Sequence, residues 1–204
     1  MNRRLILSSA LAVAALTACS GPYMVSADVS SYGNWPADRK PGSYAFDRLP
    51  SQQHNEESSK REAQLEDAAK AALEKAGFKP AADAKSADVL VTLGARITVY
   101  DPVPWDDPLW WRWRGRLISP RYGYGGWGGW GWRNDPFFDR RYDRAVAVLM
   151  RDHASGEALF EAHASNEGLN DGGASMIGAL FEAALADFPK VSPTSHRVSV
   201  QVAR

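Results

Sequence analysis

Strand-like and helix-like hydrophobic periods follow one another along the 204 residues in the order strand, strand, helix, long strand, insertion, hairpin, helix, strand. That order predicts an α/β fold of the α+β type, a two-layer sandwich. One mixed or antiparallel sheet of about five to six strands, covered on one face by two helices, satisfies every apolar face. Three observations carry the prediction. The chain is long enough to bury one sizeable core. Residues 87–100 alternate for their whole length, and residues 142–165 read as a hairpin whose register the side chains themselves select.

The elements follow in order. A short strand is expected over Tyr23–Val29 and a second over Ser43–Asp47, stopped by Leu49-Pro50. From Ser59 the period becomes helical. Ser59 and Glu62 have capping-box spacing, Leu65, Ala69, Ala72, Leu73 and Ala76 recur at helical steps, and Gly77 is the expected stop. In Ala87–Tyr100 the residues Val89, Val91, Leu93, Ala95, Ile97 and Val99 share one face, while Thr92, Arg96 and Thr98 lie on the other. The hairpin pairs Tyr142–Asp152 with Glu157–Ser165. A two-residue turn at Ser155-Gly156 would set Val146, Val148 and Met150 opposite Ser165, His163 and Glu161. A three-residue turn, Ala154-Ser155-Gly156, sets them opposite Ala164, Ala162 and Phe160 and gives a continuous apolar face, so it is the expected one. After a loop at Gly168–Gly173, Met176, Ile177, Leu180, Phe181, Ala184, Leu185 and Phe188 have helical spacing up to Pro189. A final strand is expected over His196–Val202.

Residues 1–18 read as an export signal: Arg3 and Arg4 precede an apolar run of 12 residues, Leu5–Leu16. That run falls short of the roughly 20 residues that span a bilayer. Leu16-Thr17-Ala18-Cys19 ends it on the only cysteine of the chain, which excludes an intramolecular disulfide or a cysteine-cluster metal site. This stretch resembles the lipobox of bacterial lipoproteins. The resemblance implies cleavage before Cys19, a diacylglycerol on its thiol and an N-acyl chain, palmitate for example, on its new amino terminus. Ser20 follows, where an aspartate would favour retention at the inner membrane, so the implied address is the outer membrane, facing the periplasm. The expected organisation is a signal at 1–18, a lipidated tether at 19–22, and one domain at 23–204 carrying an insertion at 101–141.

The domain also resembles a family. The lipobox cysteine, Tyr44–Phe46, a helix ending Lys75-Ala76-Gly77-Phe78, Ala87–Val91, a hairpin with Asp152, Ser155-Gly156 and Leu159-Phe160, and a helix closing at Phe188-Pro189 are together similar to the bacterial lipoproteins of the DUF4136 family. Two departures stand out: Phe160-Glu161-Ala162 where members often have Trp-Arg-Gly, and Arg140-Arg141 ahead of the first hairpin strand. The resemblance implies a periplasm-facing lipoprotein of Gram-negative bacteria and carries no reaction with it.

The insertion is the most distinctive segment. It holds 7 of the 8 tryptophans and 7 of the 17 glycines, interleaved with arginines and with Pro102, Pro104, Pro108, Pro120 and Pro136. So many glycines and prolines predict an irregular loop. Three readings stay open: a loop resting loosely on the sheet edge, a surface for envelope glycan, lipopolysaccharide or membrane, and a protein-partner patch. Trp110, Trp111, Arg112, Trp113, Arg114, Trp127, Trp130, Trp132 and Arg133 are the candidate binding residues, because indole faces and guanidinium groups suit sugars, headgroups and interface hot spots.

The charge balance argues against a nucleic-acid partner. The chain has 24 basic and 24 acidic residues, and loss of Arg3 and Arg4 leaves 22 against 24, with no surplus of cations to neutralise a phosphate backbone. No nucleophile elbow, phosphate loop or dinucleotide fingerprint appears, and Tyr122–Gly126 leads into no helix start. Asp106-Asp107 and Glu56-Glu57 read as solvated or capping charges. His54, His153, His163 and His196 are scattered and read as surface residues. The expectation is a non-catalytic envelope component without metal or cofactor beyond its acyl chains; the alternative is a ligand-binding module built on the insertion.

Overall fold

The computed structural model of the chain describes residues 23–49, 52, 55–100 and 141–202. The signal, Cys19 and the insertion from 101 to 140 lie outside these. The described elements are β1 (Met24–Gly33), β2 (Ser43–Phe46), α1 (Glu56–Lys75), β3 (Lys79–Pro80), β4 (Val89–Tyr100), β5 (Arg141–Asp152), β6 (Ala158–Gly168), α2 (Gly173–Ala184) and β7 (His196–Gln201). The strands form one mixed sheet in the order β3-β2-β4-β5-β6-β1-β7. β2 runs parallel to β3 and β4, and every other neighbour is antiparallel.

The sheet is larger than expected, with seven described strands. The extra one is β3, only Lys79 and Pro80, paired with Ser43 and Tyr44. Two residues cannot display an alternation, and a proline that donates no hydrogen bond is tolerated because β3 is an edge.

Helix α1 begins a turn earlier than its apolar stripe suggests. Asn55, not Ser59, is the cap: its Oδ1 accepts from the Ser58 amide at 2.8 Å, while the Asn55 amide donates to Ser58 Oγ at 3.0 Å. This reciprocal pair is a capping box in which serine stands where glutamate is usual, and Glu56 and Glu57 sit in the first turn, where the helix dipole favours acidic side chains. The stop is the expected one, with Gly77 at φ 97° and the Phe78 amide reaching back to Leu73 O at 3.0 Å. Helix α2 ends at Ala184, earlier than the Phe188-Pro189 expected, because Leu185 to Phe188 tighten into turns: Ala186 donates to Ala183 O and Phe188 to Leu185 O, each at 3.2 Å.

The hairpin takes the apolar register. Val146, Val148 and Met150 face Ala164, Ala162 and Phe160. The turn, however, has four residues, 153–156, closed by Asp152 N donating to Glu157 O at 2.8 Å. A bulge beyond Met150 restores the alignment, so the side-chain pattern fixed the sheet register while leaving the turn length open. Gly156 holds φ 73° there, as expected.

Helix α2 crosses β5, β6, β1 and β7, and α1 lies against α2 and β4. Beneath them Leu73, Phe160, Phe181, Leu180, Met150, Val89, Val91 and Val148 are almost wholly buried. Trp35, the tryptophan outside the insertion, closes one end of this core. Its ring meets Phe78 and Phe188 edge-on at 5.6 and 4.8 Å, and its Nε1 donates to Arg39 O at 2.8 Å. Strand β4 breaks one expectation. Val89, Val91 and Leu93 are buried, but Ala95, Ile97 and Val99 on the same face are exposed. The helical layer leaves the far half of β4 uncovered.

Candidate functional site

The strand directions sort the molecule into two ends. At one end lies the 153–156 turn, held to the starts of β2 and β4 by a polar cluster. Arg39 Nη1 donates to Asp152 Oδ2 at 2.7 Å, and its Nη2 to Asp88 O at 3.0 Å. Asp152 Oδ1 accepts from the Ser155 amide at 2.8 Å and from its hydroxyl at 3.0 Å. Asp88 Oδ2 accepts from the Ser43 hydroxyl at 2.6 Å and from its amide at 2.7 Å. The Ser155 amide, the Arg39 guanidinium and the Ser155 hydroxyl together hold Asp152 down to about 2, and the hydroxyl and amide of Ser43 lower Asp88. The family-like residues Asp88, Asp152, Ser155 and Gly156 therefore fasten a turn.

This cluster makes a pH prediction. Both carboxylates are lowered in the folded state, so their stabilisation is complete above the unfolded value of about 3.9 and is lost as pH falls below it, for Asp152 towards about 2. Asp152→Asn keeps the oxygen that caps the turn but cannot titrate. Acid unfolding followed by circular dichroism is expected to fall less steeply between about pH 4 and 2 in that variant than in the unsubstituted chain. An unchanged acid limb would contradict the assignment.

The other end holds Tyr23, Tyr100 and Arg141, the described residues that border the amino-terminal segment and the insertion. Strands β4 and β5 stay paired to their last residues, Tyr100 opposite Arg141, so the insertion leaves from the tip of a hairpin. Arg141, counted with the insertion from the sequence, is the first residue of β5. Tyr142 is level with Gly168, where β6 ends. β1 begins at the same end, with Met24 paired to Gln201, the last residue of β7. The strands β4 and β1 are three places apart, about 14 Å at 4.8 Å per strand. Tyr23 is four residues from Cys19, and four residues of chain reach at most about 14 Å.

This insertion end is also apolar. Tyr23, Met24, Ile97, Val99 and Leu169, large side chains between 44% and 67% exposed, all lie there. By strand register they are level with the root of the insertion and the start of β1. Above the loop after β6, Tyr23, Asn170, Asp171, Gly172, Ser175, Met176 and Val202 line an open depression of about 610 Å³.

The nine candidate tryptophan and arginine residues, Trp110 to Arg133, and Cys19 lie outside the described residues; the structure places the positions from which their segments leave. His54 is also outside them. The other histidines are apart from one another: His153 Nδ1 lies 2.9 Å from Ala87 O, His163 Nε2 2.7 Å from Glu161, and His196 Nε2 2.6 Å from Asp187. Among the described residues no group of three His, Cys, Asp or Glu side chains is placed to hold a metal ion, and no helix is long and apolar enough to cross a membrane.

One charged residue at this end is buried, although it belongs to no local sequence motif. Arg144 is 3% exposed, on the helix-covered face of β5. Its phase with Val146, Val148 and Met150 is the signal that marks it as inward-pointing.

Residues 28–190 match the family model described as "Domain of unknown function (DUF4136)". A crystal structure of a PDZ domain protein from Parabacteroides distasonis is similar in fold, with a TM-score of 0.52 at 13% identity; the match covers 96% of this chain and 42% of that one. A DUF4136 family protein from Bacteroides thetaiotaomicron matches at a TM-score of 0.37 and 13% identity, over 81% of this chain and 97% of that one. A PelC dodecamer from Paraburkholderia phytofirmans gives 0.38 and 15%, over 78% and 95%. No curated protein matches the chain.

Proposed function

The chain belongs to the DUF4136 family, and from that premise we propose that it is a lipid-anchored, non-catalytic component of the cell envelope, seated on the periplasmic face of the outer membrane. The observation that carries this reading is the convergence at one end of the sheet: the first strand behind Cys19, the root of the insertion and the exposed apolar rim all lie there. An anchor at Cys19 draws that end onto the bilayer. Five large apolar side chains grouped where the chain approaches the membrane are an expected feature of such an end and a liability on a free one.

In this reading the insertion works at the membrane surface. Trp110, Trp111, Trp113, Trp127, Trp130 and Trp132 have the amphipathic rings that settle at headgroup level, and Arg112, Arg114 and Arg133 supply guanidinium groups for phosphates. The binding partner is then the lipid surface itself, with lipopolysaccharide as the variant that offers most phosphate. A glycan or a protein would have to reach the same end.

The non-catalytic part of the reading rests on the described side chains. No described serine or threonine donates to a histidine, and the two aspartates with lowered pKa are occupied in fastening a turn. Membrane fractionation with fatty-acid labelling, argued below through Cys19→Ala, tests the anchor on which the function depends.

A further inference from the structure

Among the described residues Arg144 is a buried cation without a counter-charge. Its Nη2 donates to Asn166 Oδ1, and that is its one hydrogen bond among the described residues. Its Nε is buried with no acceptor, and no described carboxylate pairs with it. A guanidinium stays protonated at any physiological pH, and an ionised group removed from water without a partner is strongly disfavoured.

The surroundings add positive potential. The guanidinium packs on backbone: a Cβ at Gly168 would fall 2.0 Å from Nη2, and one at Gly172 would fall 2.8 Å from Nη1. Gly172, at φ 77°, is the cap of α2 and contributes no side-chain hydrogen bond, and the first turn of α2 holds no acidic residue. The amides of Gly173, Ala174 and Ser175 thus start a 12-residue helix without a capping acceptor, with the positive end of its dipole beside Arg144. The buried arginine and the uncapped helix are separate observations, and an anion would relieve both.

The depression that Gly172 and Ser175 of the helix start help to line has a second polarity. Asp171, next to Gly172, lines it together with Ser175, while Tyr23, Met176 and Val202 supply apolar walls. Asp171 makes a bare phosphate a weaker ligand here than one that also carries a cation. A monoanionic phosphodiester bearing an ammonium would satisfy both charges, and its glycerol would meet the apolar walls.

We propose that Arg144, the Gly173–Ser175 amides and Asp171 form a binding site for the headgroup of a membrane phospholipid, the phosphate lying against Arg144 and the helix start and the ammonium against Asp171. The lipid as source of that phosphate rests on the membrane-facing reading above; the site itself does not, because it can be probed with soluble ligands.

The test uses the purified protein in maltoside micelles, which carry no phosphate. Inorganic phosphate and glycerophosphoethanolamine are titrated in turn, and the amide resonances of Gly173, Ala174 and Ser175 are followed by nuclear magnetic resonance. Both ligands are expected to move these resonances, glycerophosphoethanolamine at the lower concentration. Arg144→Met should weaken both by about 10- to 100-fold, the loss of a charge-assisted hydrogen bond. Because a methionine of similar bulk removes an unpaired buried charge, its melting temperature should equal or exceed that of the unsubstituted protein. Asp171→Asn should weaken glycerophosphoethanolamine alone.

Absent shifts with either ligand, or shifts that persist in Arg144→Met, overturn the site. Equal binding of the two ligands with no effect of Asp171→Asn overturns the lipid as its source. Should Arg144→Met not fold, the melting temperature of the unsubstituted protein decides: it must rise in phosphate over chloride of equal ionic strength, and no rise overturns the proposal. The anchor is judged separately, by the fraction from which the protein is purified.

Discussion

Replacing Phe160 by alanine is expected to cost about 3–5 kcal/mol and to lower the melting temperature by on the order of 10 °C. The ring sits on β6, opposite Met150 on β5 and Gly33 on β1, and is 1% exposed. It meets Phe188 edge-on at 5.1 Å, and Phe188 in turn meets Trp35 and Phe78. Truncation leaves a void where two strands, the segment after α2 and the loop after β1 all converge, so the site cannot collapse without moving several elements. The loss is a large share of a typical total stability of 5–15 kcal/mol. Thr98→Ala, on the uncovered half of β4, should stay within about 0.5 kcal/mol and serves as the control. Urea unfolding of both variants checks the pair, and a small effect at Phe160 would mean that the aromatic cluster does not bear on the core.

Changing Cys19 to alanine is expected to have the largest effect on location. Acyl chains stabilise membrane association by about 0.8 kcal/mol per buried CH₂, so one chain binds marginally and several hold the protein effectively for good. Without the thiol, diacylglycerol cannot be attached. The protein should leave the outer-membrane fraction, a clickable fatty acid should no longer label it, and its melting temperature should not change, because Cys19 precedes the first strand. Persistent labelling would sink the anchor. Release that also unfolds the domain would mean that the tether is part of the fold.

Much of this architecture is legible in the sequence where side chains repeat. The β5–β6 register follows from Val146, Val148 and Met150 needing apolar partners, and β4 and both helices follow from their periods. What is not legible has physical causes. The pair that makes up β3 is too short to show a period. The Asn55–Ser58 box precedes the apolar stripe of α1, so the stripe alone starts the helix late. The bulge beyond Met150 adds a residue without disturbing the pattern on either side of it. The candidate site divides in the same way. The tether and insertion stand out by composition, but that they leave from one end follows from the strand order, which no local pattern contains. Ile97 and Val99 look like core residues because alternation reports which face a residue is on, not how far the helices extend above it. Arg144 is the converse: its phase points inward, yet a charged side chain there is easily read as the ragged beginning of a strand.

In the proposed arrangement the end of the sheet bearing Tyr23, Val99 and Leu169 rests on the bilayer. This contact is tested most directly by placing an environment-sensitive fluorophore at Val99→Cys, at Leu169→Cys and, at the opposite end, at Ser155→Cys in the protein reconstituted into nanodiscs, and measuring quenching by lipids that carry a nitroxide at headgroup depth. Strong quenching is expected at positions 99 and 169 and none at 155. Quenching at 155, or its absence at all three positions, would contradict the arrangement.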